Sequence, residues 1–441
     1  MSSEDGLPSA LVERIRDVTG VMLERLADDK VLAEAVRQSK AASTRSLEWG
    51  GPGLYGGHAG MALVFKYAAS ALPGDAARWR GLSRRFIREA ARRTQEQPVP
   101  FPCLGIGTSG LALAVEQLSA DDPALRPALG RLRDLLAQQV AQGLSRRGAD
   151  GVSPDAYDVI SGASGVLGYL ASLPEPSAEE REAVGMLLDD LVWMCDPGGG
   201  TARWHVPPRF MFGQELAKEH PHGYVDLGMS HGLAGPLAAM SQAWSRGHRR
   251  PGLRPAMEHV AAFLLEMSDE DEYGRCWPRM VSLTPSGTIR RTPPSPGHES
   301  WCYGAPGICS ALLDAATALG DGTLRTAATE GFEAALRRVA AGHGHLVNAS
   351  LCHGWSGLLA VCGRFAREDG GAAARAAIPH LAEQVLDACD PAHPLLVKEF
   401  QPPDIYMDSP DLLDGAAGIP LALWTAAGLI DDRWQRALLI H

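Results

Sequence analysis

A small glycine motif recurs seven times along the chain and constrains the fold more than any other feature of the sequence. Each copy is Gly-x-x-Gly followed by an apolar run, and successive first glycines stand 50 to 72 residues apart. Self-similarity of this kind is typical of repeat architectures. The seven glycine pairs are Gly57/Gly60, Gly107/Gly110, Gly162/Gly165, Gly232/Gly235, Gly304/Gly307, Gly354/Gly357 and Gly415/Gly418.

The segments around the motif predict a helical hairpin in each repeat. Apolar runs such as MALVFKYAASAL follow the motif and are hydrophobic nearly all round, as buried helices are. Amphipathic stretches such as RRFIREAARRTQE precede most copies, with apolar residues at helical spacing. One glycine would permit a positive φ or a tight turn, and the other would permit close backbone approach. Each unit is therefore predicted to be an outer helix, a glycine turn and an inner helix.

Seven such hairpins predict an all-α fold, a closed (α/α)7 toroid with the Gly-x-x-Gly turns at one mouth. An open solenoid of stacked hairpins is the alternative, but the inner helices are too uniformly apolar to face water along a concave surface. We see no linker between autonomous domains, so a single toroid domain is expected over residues 1–441.

Two connections are longer than a hairpin needs. They are residues 195–228 and residues 268–300, and the second has β-hairpin character around Pro285, Ser286 and Gly287. Long connections often carry function, so both are candidates for a functional role.

Composition and the N-terminal sequence argue against several classes of protein. The net charge of −11 argues against binding to nucleic acid, which needs a basic surface. We find no signal peptide and no run of about 18 apolar residues, so no membrane span is expected. The eight cysteines are scattered along a large chain, which is typical of reduced thiols, and a cytoplasmic location is predicted.

The repeat places reactive residues at equivalent positions. Repeats arranged around an axis bring equivalent positions to equivalent heights, so residues just before the first glycines should converge at one mouth. Two residues before that glycine stand Cys302 and Cys352. Directly before it stand His231, Tyr303, His353 and Asp414.

Cys302, Cys352 and His353 are the predicted metal ligands. Two thiolates and an imidazole suit zinc, and three protein ligands leave a fourth position open, as in catalytic sites. The alternative is that the two cysteines only pack in the core and that the histidine belongs to a turn. The presence of two cysteines at the same position of neighbouring repeats argues against this alternative. The remaining cysteines are predicted to be packing residues; they are Cys103, Cys195, Cys276, Cys309, Cys362 and Cys389.

The same residues resemble a known family. The chain is similar to the lanthionine synthetase C-like family over all seven repeats, so over nearly its whole length. The motifs that carry the resemblance are Trp301-Cys302-Tyr303-Gly304 with Pro306-Gly307, Cys352-His353-Gly354 with Gly357, Tyr157-Asp158-Val159-Ile160 with Gly162 and Gly165, and Gly223-Tyr224 through Gly228-Met229-Ser230-His231-Gly232 with Gly235.

The resemblance implies a toroid with zinc at one mouth and a specific reaction. Family cyclases add peptide cysteine thiols to dehydroalanine or dehydrobutyrine, which forms thioether rings. No dehydratase, lyase or kinase segment precedes the repeats, so we expect a stand-alone lanthipeptide cyclase acting on a dehydrated precursor peptide beside a separate dehydratase. The chain departs from the family at one position. Family cyclases often carry an arginine four residues before the first zinc cysteine. His298 stands there, with Arg290 and Arg291 close by in sequence.

Three residues are the candidates for catalysis. His231 is expected to deliver a proton to the enolate, or else to deprotonate the thiol. Asp158 would orient His231 or take up a proton, and Tyr303 would donate a hydrogen bond to the enolate oxygen. Their structural alternatives are capping or turn roles for His231 and Asp158 and packing for Tyr303. Asp411 and Asp414 are weaker candidates beside the metal.

Other functions fit the sequence less well. A zinc prenyltransferase-like toroid also activates a thiolate, but its metal set includes a carboxylate. A glycosidase would need two converging carboxylates and would leave the cysteines unexplained. A non-catalytic relative that binds zinc and a thiol such as glutathione, or a partner protein, remains the third alternative.

Overall fold

The structure is a computed structural model that describes most of the chain. The described residues are 6–42, 49–143, 150–211, 213–291, 298–346, 348–401 and 405–440. Residues 292–297 of the predicted long connection thus lie outside the described residues, whereas every predicted site residue lies within them.

Helices dominate the described residues. In chain order the α-helices are α1 (Ser9–Ala27), α2 (Asp29–Ala42), α3 (His58–Ala71), α4 (Ala76–Glu96), α5 (Thr108–Ser119), α6 (Arg126–Ala141), α7 (Pro154–Tyr157), α8 (Ala163–Ala171), α9 (Ala178–Cys195), α10 (Gln214–Glu219), α11 (Ala234–Ser245), α12 (Leu253–Glu266), α13 (Ala305–Leu319), α14 (Gly322–Ala340), α15 (Trp355–Ala366), α16 (Ala372–Asp387) and α17 (Ile419–Ala426). The strands are β1 (Tyr224–Asp226), β2 (Asp269–Asp271), β3 (Gly274–Cys276), β4 (Met280–Leu283), β5 (Ile289–Arg290), β6 (Glu399–Gln401) and β7 (Ile405–Met407).

Seven inner helices form a closed ring, which confirms the predicted toroid. They are α3, α5, α8, α11, α13, α15 and α17; each contacts the next, and α17 contacts α3. Their residues are buried almost without exception because the helices are apolar on every face. None of the helices in the described part of the chain is both long enough and apolar enough to cross a membrane.

Outer helices cover the ring, and the N-terminal helix completes their circle. Each of α4, α6, α9, α12, α14 and α16 packs on the inner helix that precedes it. Helix α1 covers α17, which has no outer helix after it. Ion pairs tie α1 to its two outer neighbours, from Arg14 to Asp387 at 2.7 Å and from Glu24 to Arg78. Helix α1 therefore takes the place of an outer helix beside α17.

A circle of backbone hydrogen bonds links the seven glycine motifs directly. In each repeat a backbone N–H just before the first glycine donates to a carbonyl at the equivalent place in the next repeat. Since the last repeat donates to the first, the circle is complete and sets every motif at the same height. The bonds are Tyr55 N to Gly105 O (3.1 Å), Gly105 N to Ile160 O (2.9 Å), Val159 N to Ser230 O (3.0 Å), Met229 N to Cys302 O (2.9 Å), Cys302 N to Cys352 O (3.1 Å), Cys352 N to Leu413 O (2.9 Å) and Leu412 N to Tyr55 O (3.0 Å).

The motif glycines serve close approach rather than a special dihedral angle. Among the first glycines only Gly304 has a positive φ, of 87°. At the second glycine of most repeats an added Cβ would overlap the carbonyl oxygen six residues earlier, as between Gly110 and Leu104. The helix start is thus pressed onto the turn before it, and only a residue without a side chain fits.

Gly110→Ala is accordingly expected to destabilise the protein by about 3 kcal/mol, because the methyl group can be accommodated only by moving backbone in the core. Thermal unfolding followed by circular dichroism measures this. Gly130→Ala is the matched control, since Gly130 lies in α6 with nothing within 4 Å of an added Cβ. That change should stabilise by about 0.5 to 1 kcal/mol through helix propensity. Equal effects of the two changes would contradict the close-approach account.

The two long connections fold together beside the mouth of the ring. Strand β1, from the first connection, pairs with β4 from the second, and β4 pairs with β5, both antiparallel. The predicted β-hairpin around residues 285–287 is confirmed as the β4–β5 turn. Because β1 runs straight into the fourth glycine motif, this small sheet fixes the second connection against that motif.

The C-terminal segment fills the interior of the ring, which the sequence reading did not anticipate. Residues 434–440 are buried except for Arg436, which is partly exposed. Their backbone carbonyls accept hydrogen bonds from three different repeats, namely from Tyr55 to Ala437 (2.6 Å), from Trp301 to Leu438 (2.9 Å) and from Gln242 to Leu439 (2.9 Å). The segment therefore connects the inner helices from within.

Candidate metal centre

The structure brings the three predicted metal ligands together. Ligand atoms of Cys302, Cys352 and His353 lie within 4.8 Å of one another, and this is the one such group of three or more His, Cys, Asp or Glu residues found in the described part of the chain. The hydrogen bond from Cys302 N to Cys352 O places the two cysteines in neighbouring repeats. Residues fifty positions apart in sequence thus meet because the hairpins close into a ring.

Neighbouring groups act on the two thiols in opposite directions. Burial opposes ionisation of Cys302, but hydrogen bonds with Cys352 and His353 hold the pKa of its thiol well below the ordinary value. The same contact with Cys302 raises the pKa of the Cys352 thiol. Ser300 adds a contact from its hydroxyl to the Cys302 sulfur at 3.4 Å. Cys302 is therefore the thiol that ionises first.

Acidic residues of the seventh repeat stand beside His353. The Asp414 carboxylate lies 3.5 Å from His353 Nδ1, where a carboxylate can orient a ligand imidazole. Asp411 caps its own turn instead, accepting the backbone N–H groups of Leu413 (2.5 Å) and Asp414 (2.9 Å). Burial and the neighbouring Asp414 raise the pKa of Asp411 to about 7.

A buried ion pair fixes the loop that carries Cys302. Glu299 accepts the N–H of Ala305 at the start of α13 (3.2 Å) and pairs with Arg338 of α14. Arg338 is fully buried and also binds Asp271 at 2.7 Å. Burying such groups is costly unless each is paired, so this arrangement holds the loop in one conformation.

His231 and Asp158 form a hydrogen-bonded pair on the same mouth. His231 Nδ1 donates to Asp158 Oδ2 at 2.6 Å. The other carboxylate oxygen accepts the backbone N–H groups of Ser161 (2.6 Å) and Gly162 (2.8 Å), so Asp158 also takes the turn-capping role. Burial alone would lower the pKa of His231, but the hydrogen bond to Asp158 outweighs it and the pKa rises to about 9. At neutral pH the ring is an imidazolium.

Tyr303 lies between two groups that the sequence reading missed. Its hydroxyl accepts a hydrogen bond from Arg279 (3.1 Å) and lies 3.3 Å from Asp226 Oδ2, to which it donates. Asp226 is buried, and its other oxygen accepts the N–H of Gly228 at 2.9 Å. Arg279 lies outside the glycine motifs, and Asp226 lies six residues before Gly232, whereas the alignment compared only the two positions directly before each first glycine.

The remaining candidates lie elsewhere. Arg291 binds the carbonyl of Glu266 and lies 3.8 Å from Asp269, away from the metal ligands. The ring of His298 bonds to the carbonyl of His345 at 2.6 Å. Cys309, which the sequence predicts to be a packing residue, is buried outside the cluster.

Comparisons with known proteins agree with the geometry. A family model described as lanthionine synthetase C-like protein matches residues 48–439. Nisin biosynthesis protein NisC of Lactococcus lactis subsp. lactis is 24% identical over 264 residues, which are 59% of this chain and 61% of that protein. Among solved structures, nisin cyclase superposes with a TM-score of 0.78 over 96% of this chain and 98% of its own, at 20% identity. The segment matched in sequence thus spans less than two thirds of NisC, whereas the superposition with nisin cyclase covers nearly the whole of both chains.

Proposed function

The chain belongs to the lanthionine synthetase C-like family, and on that premise we propose that it is a zinc-dependent lanthipeptide cyclase. It adds cysteine thiols of a dehydrated precursor peptide to dehydroalanine or dehydrobutyrine, which forms lanthionine or methyllanthionine rings. A separate dehydratase supplies the substrate. The observation that carries the proposal is the meeting of Cys302, Cys352 and His353 at the mouth that also holds His231.

The donor set of the cluster fits zinc. Two sulfurs and one imidazole nitrogen are the ligands that this borderline-soft ion prefers, and three protein ligands would leave a position for substrate. When bound, zinc would deprotonate a substrate thiol at neutral pH and so supply the nucleophile. The protein's own contribution is to hold the ligands, with Asp414 beside His353 and Ser300 beside Cys302.

The ring-forming addition also needs a proton at a defined atom. The sulfur lone pair forms a bond to the β-carbon, and the carbon–carbon π pair moves toward the carbonyl, which gives an enolate. A proton must then reach the α-carbon. His231 is protonated at neutral pH and its ring is 43% exposed at the mouth, so it can deliver this proton. Asp158 keeps the ring oriented and charged.

Asp158→Asn is expected to move the alkaline limb of the rate profile to lower pH. The protonated ring is the active form, so kcat holds below the pKa of His231 and falls as the pH rises through about 9. Removing the carboxylate charge lowers that pKa by about 1 to 3 units, and the limb should shift accordingly when kcat is measured between pH 6 and 10. Asp134→Asn is the control, because Asp134 is exposed on the outer helix α6. An unmoved limb in Asp158→Asn would contradict the assignment of His231 as the acid.

Ring formation on a dehydrated peptide tests the function itself. Addition leaves the peptide mass unchanged, so free thiols are counted by N-ethylmaleimide labelling and mass spectrometry after incubation with zinc-loaded protein. Cyclisation protects each reacting cysteine from the label. Fully labelled peptide together with measurable thiol binding would instead identify the protein as a non-catalytic thiol-binding member of the family.

A further inference from the structure

Arg279 enters the mouth on the small sheet rather than on a glycine motif. It directly precedes β4, whose first residue Met280 pairs with Asp226, the last residue of β1. Leu227 donates its backbone N–H to the Arg279 carbonyl at 3.1 Å. Strand pairing therefore ties Arg279 to the segment that leads into the fourth glycine motif, where His231 follows Leu227 by four residues.

The Arg279 side chain lies over the ring of Tyr303, next to the metal ligand Cys302. Its guanidinium carbon is 4.2 Å from the ring centroid, and Nη2 donates to the Tyr303 hydroxyl at 3.1 Å. This is a cation–π contact with an added hydrogen bond. It holds the guanidinium in place while leaving most of its N–H groups unused.

The hydrogen-bond directions assign different roles to these two residues. A phenol has one proton, and Tyr303 directs it to Asp226 Oδ2. The hydroxyl therefore has no proton left for an enolate oxygen, which was the role predicted for it. Arg279 has five N–H groups and donates one to Tyr303; within the described residues no other hydrogen bond from its side chain is found. The residue is exposed, so the remaining donors are accessible to a substrate.

Two cations near the position of the family arginine, Arg291 and His298, are engaged elsewhere. Arg291 donates to the Glu266 carbonyl, and the ring of His298 is bonded to the His345 carbonyl. Addition of a thiolate to a dehydrated residue places negative charge on the carbonyl oxygen, and preorganised donors at that oxygen accelerate such reactions most. Arg279 is the cation positioned for it.

Resting on the proposed function, we propose that Arg279 is a catalytic residue that binds the carbonyl oxygen of the dehydrated amino acid and stabilises the enolate. As the sulfur–β-carbon bond forms, the π electrons come to rest on this oxygen, and the guanidinium N–H groups donate to it. The charge returns to carbon when His231 protonates the α-carbon. Tyr303 and Asp226 are positioning residues that orient the guanidinium.

Arg279→Ala is expected to lower kcat by about 10²- to 10³-fold while zinc content stays unchanged. Added guanidinium chloride at millimolar concentration should restore part of the rate in a saturable way, because the ion can occupy the vacated position. Arg290→Ala is the matched control, an exposed arginine on the adjoining strand β5. A rate within twofold of wild type in Arg279→Ala, or a loss that guanidinium does not restore, would overturn the proposal.

A binding measurement separates this inference from the proposed function. Calorimetric titration of the zinc-loaded protein compares 3-mercaptopropionate with 2-mercaptoethanol, where the carboxylate stands in for the enolate oxygen. Wild type should bind the carboxylate-bearing thiol about tenfold more tightly, and Arg279→Gln should lose that preference. If no peptide is cyclised but the binding preference depends on Arg279, the result supports the anion site and contradicts only the proposed cyclase activity. A preference unaffected by Arg279→Gln would refute the anion site.

Discussion

Cys302→Ala is expected to abolish zinc binding and ring formation together. Removing one of three ligands leaves a thiolate and an imidazole, which is too few for a stable zinc site. Without the metal only a few per cent of a substrate thiol is ionised at pH 7. The thiol also loses its fixed position, so kcat should fall by on the order of 10³-fold or more. Metal content by atomic emission and thiol protection by labelling measure the two losses on the same sample.

Two further variants make this result specific. Cys352→Ala should match Cys302→Ala, and the double variant should be no worse, because each change removes the same metal and such effects are not additive. Cys389→Ala should keep both zinc and activity, since Cys389 lies just after α16 and outside the cluster. Circular dichroism checks that each variant is folded. Full metal and full activity in Cys302→Ala would show that the cluster is not the site.

The ring and the meeting of Cys302, Cys352 and His353 could be predicted because both follow from local periodicity. Seven copies of one motif specify seven equivalent turns, and a circle of backbone hydrogen bonds holds them at one height. Cys302 and Cys352 occupy the same position of adjacent copies, so their proximity needed no knowledge of distant contacts. Asp158 and His231 likewise precede adjacent motifs and meet for the same reason.

The features that escaped prediction lie outside the repeat. Arg279 is placed by the pairing of two strands that are more than fifty residues apart in sequence, and no periodic pattern encodes that register. The C-terminal segment is a short apolar run, which periodicity alone cannot distinguish from any other buried element. The place of helix α1 as the outer partner of α17 was not predicted, because it depends on the ring closing first.

The role of Tyr303 shows how far residue type alone can be interpreted. A tyrosine beside a predicted metal ligand can donate to a substrate oxygen, and the sequence left that role open beside simple packing. The hydrogen bonds favour a positioning role instead, because the hydroxyl lies between a donor, Arg279, and an acceptor, Asp226. Tyr303→Phe should therefore cost less activity than Arg279→Ala, since the ring face that carries the guanidinium remains.

His231→Gln is expected to keep its zinc and lower kcat by about 10²- to 10⁴-fold, the usual contribution of a positioned acid or base. The imidazole is not a member of the metal cluster, so metal content should equal that of wild type. His380→Gln is the control, an exposed histidine of α16 on the outer layer. Zinc loss in His231→Gln would place this residue among the ligands instead.

The stereochemistry of the residual product distinguishes the two roles open to His231. As the acid, it delivers the proton to one face of the enolate, so His231→Gln should give rings of mixed configuration at the α-carbon as solvent protonates both faces. As the base, it would act before the enolate forms. The variant would then keep a single configuration and recover its rate at high pH, where the thiol ionises unaided. Chiral chromatography of the hydrolysed rings measures the configuration. The hydrogen bond to Asp158, which keeps the imidazole protonated, favours the mixed product.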